Sequence, residues 1–202
     1  GGATPPRQSP TATTTTSDVG RRIDIDDDTE QVHLVMGGAA LARTDVDREA
    51  LDVVNHVLGG GLSSRLFDEI RERRGLAYSV FSTASAFADA GAWSIYAGTL
   101  PEHRIEVEAL VRRELERLTA DGITDDELEI AIGYLTGSYE MGLEDSAARM
   151  SRLGGQLTLL GELRSVESQI DRWSAVALDD VRRVIDRVYG SGPPLTIALG
   201  PL

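Results

Sequence analysis

From Asp47 to Leu58 the apolar residues Ala50, Leu51, Val54, Val57 and Leu58 recur at helical spacing, while the segments before them alternate. Arg21 to Asp28 alternates weakly into an acidic turn, and Val32 to Met36 reads as a short strand stopped by Gly37-Gly38. Gly59-Gly60-Gly61 ends the first helix, and a second starts at the Ser63-Ser64 cap, carries Leu66, Phe67 and Ile70, and closes at Gly75. Two strands follow, one with Tyr78, Val80 and Ala84, the other with Trp93, Ile95 and Ala97; Asp89-Ala90-Gly91 between them predicts a hairpin. The rest is mostly helical. Thr99 with Glu102, and Thr124 with Glu127, read as capping boxes. They open helices through Val107 to Leu118 and Ile130 to Tyr139. Ser146 to Leu160, Val166 to Trp173 and Leu178 to Tyr189 read as three more; Gly154-Gly155 should weaken the first or admit a close neighbour. Leu195 to Leu199 reads as a closing strand. This order predicts an α+β fold: a mainly antiparallel sheet with helices packed on one face, not a doubly wound one.

Residues 1–20 stand apart, with three of the seven prolines and six threonines. They are expected to be a flexible linker without a site, leaving 21–202 as one domain. The chain begins Gly1-Gly2 without an initiator methionine, which suggests processing or a piece of something longer.

Composition removes several chemistries. There is no cysteine, hence no disulfide, thiolate metal site or cysteine nucleophile. All 20 basic residues are arginine, which excludes lysine Schiff-base and P-loop chemistry. A net charge of −13 argues against nucleic acid. No apolar run approaches the ~20 residues that span a bilayer, and nothing near the start resembles a signal peptide. A cytoplasmic protein with no membrane partner is expected.

The three histidines, His33, His56 and His103, are too scattered for catalytic zinc. His103 and Glu106 lie one turn apart, but Val107 stands where a zincin needs its second histidine. His103 with Glu106 is expected to be an ordinary surface pair at a helix start, and His33 and His56 to be satisfied structural histidines. Gly59-Gly60-Gly61 with Ser63-Ser64 matches a phosphate cradle poorly, since it follows a helix and no lysine accompanies it. The densest polar cluster is Arg65 to Tyr78. Helical spacing pairs Asp68 with Arg71 and Glu69 with Arg73, which would make it a solvated charged face. The Gly75 turn could instead bring the Arg71 guanidinium and the Tyr78 phenol together, as two donors for a peptide carbonyl or a developing oxyanion.

The run Asn55 to Phe67, continued by Arg71 and Arg73 to Val80, resembles the C-terminal half of a pitrilysin/insulinase-family zinc peptidase, of the bacterial type related to mitochondrial processing peptidase. Glu30-Gln31-Val32-His33, Gly37, Thr124 to Leu128, Arg149-Met150, Gly154 and Asp179-Asp180-Val181 fit the same half, so the resemblance covers about 21–202. It implies two similar α+β halves enclosing a peptide-sized chamber. The N-terminal half carries H-x-x-E-H, with zinc on two histidines and a downstream glutamate. The first glutamate of that motif is the general base. The C-terminal half holds no metal but supplies an arginine and a tyrosine, here Arg71 and Tyr78, to hold the substrate backbone and stabilise the tetrahedral intermediate. Gly59, Gly60 and Gly61 would face the chamber and contact substrate. This chain has no H-x-x-E-H. The implied cofactor, zinc, therefore belongs to a partner: an N-terminal zinc-bearing half or a second family subunit. The chain alone would be inactive, with peptide as the substrate of the assembly. The alternative is a non-catalytic scaffold or peptide-binding subunit, as in the respiratory-complex core proteins of the same resemblance. Ala177 stands where the family has a capping threonine, a loss of about 1 kcal/mol.

Overall fold

The computed structural model describes residues 19–202. Residues 1–18 of the expected linker lie outside the described residues. Five strands form one sheet: β1 (Arg22–Asp26), β2 (Val32–Ala40), β3 (Ala77–Ala86), β4 (Gly91–Thr99) and β5 (Leu195–Gly200), in the order β1-β5-β2-β4-β3. Only the β1–β5 pair is parallel. The antiparallel α+β expectation holds.

Alternation in β2 shows how the sheet divides its faces. Val32, Leu34 and Met36 are fully buried, while His33 and Val35 between them are half-buried on the other face. The buried side meets α1 (Arg48–Asn55), α2 (Arg104–Asp121) and α6 (Leu178–Val188). Leu51, Val54 and Leu58, then Val107, Val111 and Leu118, then Val181, Val184 and Ile185, join β2 and β4 in one core. The opposite face carries His33, Tyr96 and Phe81; the Phe81 and Tyr96 rings lie 5.1 Å apart.

Caps set the helix borders. Thr124 and Glu127 form the expected capping box at α3 (Asp125–Gly142). Asp145 caps α4 (Ser146–Leu160) and Ser165 caps α5 (Val166–Ser174). At α6 the Asp180 carboxylate accepts the Ala177 N–H at 3.0 Å, while alanine returns no oxygen. The box expected at Thr99 does not form. Thr99 ends β4, is buried, and donates its hydroxyl to the Leu76 carbonyl at 2.5 Å. The chain enters α2 through a 3-10 turn, Pro101–His103, instead. α4 runs unbroken through Gly154-Gly155, and nothing approaches either position within 4 Å.

Two ion-paired carboxylates pin the start of α1 to the C-terminal helices. Glu49, nearly buried, receives two hydrogen bonds from Arg172 at 2.6 and 2.8 Å. Burial pushes its carboxyl up, but the Arg172 guanidinium outweighs that and holds it below the usual range. Asp47, also buried, receives Arg183 at 2.6 Å and Arg187 as well.

Candidate functional site

α1 does not continue as a regular helix to Leu58. It passes at His56 into a π-helical turn, His56–Gly60. A second π-helical turn spans Phe67–Glu72. Both lie in the segment singled out by the sequence, and π turns concentrate at functional sites.

The second π turn decides the fate of Arg71. Helical spacing predicted Asp68–Arg71 and Glu69–Arg73 pairs. The wider turn instead hydrogen-bonds residues five apart, Arg73 N–H to Asp68 O at 2.9 Å. Side chains five apart then face each other. Arg73 takes Asp68 at 2.7 Å and keeps the expected pair with Glu69 at 3.9 Å, while Arg74 takes Glu69 at 2.8 Å. Arg71 is left exposed and, among the described residues, in no ion pair. Its guanidinium carbon stands 4.8 Å from the Phe67 ring centre and 5.7 Å from that of Tyr78. Gly75 makes the return possible. It adopts φ +65 and donates to the Arg71 carbonyl at 3.0 Å, turning the chain into β3.

Tyr78 is placed by a bulge. Ala77 pairs with Thr99 and Ser79 with Gly98, so Tyr78 has no partner in β4. Strict alternation would bury it beside Val80. The extra residue turns it outward, and it is 79% exposed. Arg71 and Tyr78 thus meet on the surface, as expected, with guanidinium and hydroxyl donors open to solvent.

The three glycines do not share one role. Gly59 is buried, and a Cβ there would stand 2.6 Å from the Ser82 nitrogen in β3. It is a point of backbone contact, not a surface. Gly60 is exposed and Gly61 half-exposed, so these two are the part of the loop a ligand can reach. A Cβ on Gly61 would stand 2.7 Å from the His56 ring. The loop is braced from below. Ser64 donates to the Gly61 carbonyl at 2.5 Å, and Ser82 to the Asn55 carbonyl at 2.9 Å. Arg65 binds Glu127 at 2.6 and 2.7 Å and the Gly122 carbonyl at 2.9 Å, which ties this segment to the start of α3.

The histidines differ from one another. His33 shares a 2.7 Å hydrogen bond with Tyr96. Glu106 lies 3.6 Å from Arg74, which leaves no sign of a special His103–Glu106 pair. His56 departs from the expectation of a satisfied histidine. It is 4% exposed, stacks on the Tyr134 ring at 4.3 Å, and its Nε2 finds no partner. Burial pushes its pKa down. Among the described residues no three His, Asp or Glu side chains gather as a metal site.

Residues 2–135 match the family model described as the peptidase M16 inactive domain. The chain belongs to the peptidase M16 family. It is 48% identical over 174 residues to an uncharacterized zinc protease of Streptomyces coelicolor, a match covering 86% of this chain and 38% of that protein. An uncharacterized zinc protease of Mycobacterium tuberculosis is 44% identical over 178 residues, covering 86% of this chain and 40% of that protein. The chain therefore spans about two fifths of the curated relatives it matches. Among solved structures, a peptidase M16 inactive domain from Pseudomonas fluorescens superposes with a TM-score of 0.81 at 25% identity, over 90% of this chain and 43% of that one. A protease from Helicobacter pylori gives 0.81 at 23% identity, over 96% and 47%; this likeness concerns the fold. The resemblance carried by the glycine loop and the Arg71–Tyr78 segment is thus to the right family. The two π turns and the Tyr78 bulge were not legible in it.

Proposed function

We propose that this M16 domain is the substrate-holding half of a cytoplasmic zinc endopeptidase, completed by a half that carries H-x-x-E-H and the zinc. The observation that carries this is the meeting of Arg71 and Tyr78. A π turn withholds Arg71 from the nearby carboxylates, a bulge turns Tyr78 away from the core, and the two come within 5.7 Å on the surface. A solvated guanidinium beside a phenol is suited to donating hydrogen bonds to a peptide carbonyl and to the oxyanion that forms when water adds to it. Gly60 and Gly61 offer reachable backbone for an extended peptide in the loop that packs on β3 at Ser82. Zinc and the general base come from the other half; no ligand for the metal is assigned to this chain. That the relatives are named zinc proteases and are more than twice as long supports the reading.

The test is peptide hydrolysis by the complete two-half protein. Arg71→Ala and Tyr78→Phe should each lower kcat/KM on the order of 10²–10³-fold, the cost of losing one positioned donor. Near wild-type values for both would refute the role. A complete protein whose other half lacks H-x-x-E-H would instead favour the scaffold reading.

A further inference from the structure

His56 is a buried titratable group that the proposed chemistry does not use. Its ring lies against the glycine loop: a Cβ on Gly61 would meet the Cε1 of the imidazole at 2.7 Å. With no side chain on Gly61 to intervene, any displacement of the ring is felt by the loop backbone. The Tyr134 ring of α3 stacks on the imidazole at 4.3 Å, and Nε2 is buried with no hydrogen-bond partner among the described residues. The ring also lines a cavity of about 40 Å³ with Val57, Ser63, Glu127 and Ile130, which is room for about one water molecule.

A neutral imidazole fits this site and an imidazolium does not. Glu127 is the charged residue among those lining the cavity, and it is already engaged. Arg65 donates to both its oxygens, at 2.6 and 2.7 Å, and the Thr124 N–H donates to one of them at 2.8 Å. The Arg65 charge offsets the pull of that carboxylate on a second cation. From α3 the other titratable group is Tyr134, which stacks its ring on the imidazole; a cation over such a ring gains less than a buried ion loses by leaving water. We propose that His56 is an acid-sensitive latch for the glycine loop: the neutral ring seats the loop, and a proton on the ring moves Gly60 and Gly61 out of the position in which they would contact a peptide. This rests on the substrate-holding reading above. Burial holds the ring below its ordinary pKa, so the latch stays closed at neutral pH and opens on acidification.

The test uses the complete two-half protein and a fluorogenic peptide lacking His, Asp and Glu, between pH 7.5 and 5. KM should be level at the upper end and then rise about tenfold per pH unit, because apparent affinity falls with the fraction of molecules whose loop is seated. Fitting kcat separately keeps the general base of the other half out of this reading. In His56→Gln and His56→Phe, which carry no titrating ring, KM should no longer rise. The amide NMR signals of Gly60 and Gly61, followed without peptide, should shift over the same pH range and stay fixed in both variants. A level KM in the unsubstituted protein would overturn the proposal, as would a rise that persists in both variants or glycine signals that do not titrate. Glycine signals that titrate with His56 while Arg71→Ala and Tyr78→Phe leave hydrolysis untouched would support the latch and refute the substrate-holding reading.

Discussion

Replacing Gly59 by alanine should destabilise the domain by about 3 kcal/mol, and the reason is packing rather than backbone strain. Gly59 has φ −162, so it is not held in the left-handed region that demands glycine. The added methyl, however, would stand 2.6 Å from the Ser82 nitrogen and 2.9 Å from its Oγ. Carbon contacts settle at about 3.5–4 Å, so something must move by roughly 1 Å. The strand is the stiffer partner, because Ser82 sits in mid-β3 opposite Ile95 of β4. The glycine loop therefore gives way. Its displacement strains the hydrogen bond from Ser82 to the Asn55 carbonyl, worth about 1 kcal/mol, and adds an overpacking cost of about 2 kcal/mol. For a domain of this size each 1 kcal/mol moves Tm by about 2–4 °C, so Gly59→Ala should melt roughly 6–12 °C below the unsubstituted chain. Gly154→Ala is the internal control. It lies in the middle of α4 with nothing within 4 Å, and should leave stability unchanged or raise it by up to about 1 kcal/mol. Circular dichroism melts of the three proteins decide. A Gly59→Ala protein melting within 1 °C of the unsubstituted chain would show that the loop is not seated on β3 as described.

Two further predictions concern titration and ion pairing. His56 is held neutral by burial, so the unfolded chain takes up its proton first and stability must fall as pH drops below about 6.5. Urea midpoints between pH 5 and 8 should show that slope and lose it in His56→Phe; a ring pKa at or above 6.5 by NMR would contradict it. Arg172→Ala removes the main partner of the buried Glu49 carboxylate, leaving Gln169 at 3.5 Å and Arg164 at 3.9 Å, and should cost roughly 2 kcal/mol at pH 7, less than for a fully buried pair because Arg172 is 39% exposed. Glu49 is held below its usual range, so this contribution is complete above about pH 4.3 and fades as pH falls through the lower folded value. A cost that stays constant down to pH 2 would place it elsewhere than in the charge pair.

The fold was legible where one rule acted alone. Alternation in β2 and the reciprocal Thr124–Glu127 cap are local, and no tertiary contact competes with them. Thr99 shows the opposite case: the same capping signature is overridden because the residue is drawn into β4 and its hydroxyl is spent on Leu76. The site was legible in its residues and not in its geometry. Ile70 is buried in the π turn and gives no hint of the change; what changes is the pairing, with Asp68 on Arg73 in place of Arg71 and Glu69 gaining Arg74 beside Arg73. The bulge is equally silent, since tyrosine suits either face of a strand. Gly59 was legible as glycine but not as a packing contact, because the surface it meets lies 23 residues away at Ser82.

The geometry around Arg71 also bears on why, in so acidic a chain, it has no ion pair among the described residues. Asp68, Glu69 and Glu106 all lie in this neighbourhood, and Arg73 and Arg74 take every one of them. An ordinary α turn would pair Asp68 with Arg71 at negligible cost, since exposed pairs of this kind contribute only a few tenths of a kcal/mol. Stability therefore does not account for the π turn, whose hydrogen bonding is the rarer and poorer arrangement. Two neighbouring guanidiniums that take Asp68 and Glu69 do account for something else. They leave Arg71 with its full charge and all its donors, next to a phenol, on a surface where a competing carboxylate would otherwise occupy them. A peptide carbonyl is a weak acceptor and could not displace a carboxylate from arginine. On the proposed function, removing the competitors is what would allow the weak acceptor to bind. Replacing Arg73 and Arg74 together should therefore weaken peptide binding, read as a raised KM of the two-half protein, without touching Arg71 or Tyr78. An unchanged KM in that double variant would show that the carboxylates do not compete for Arg71.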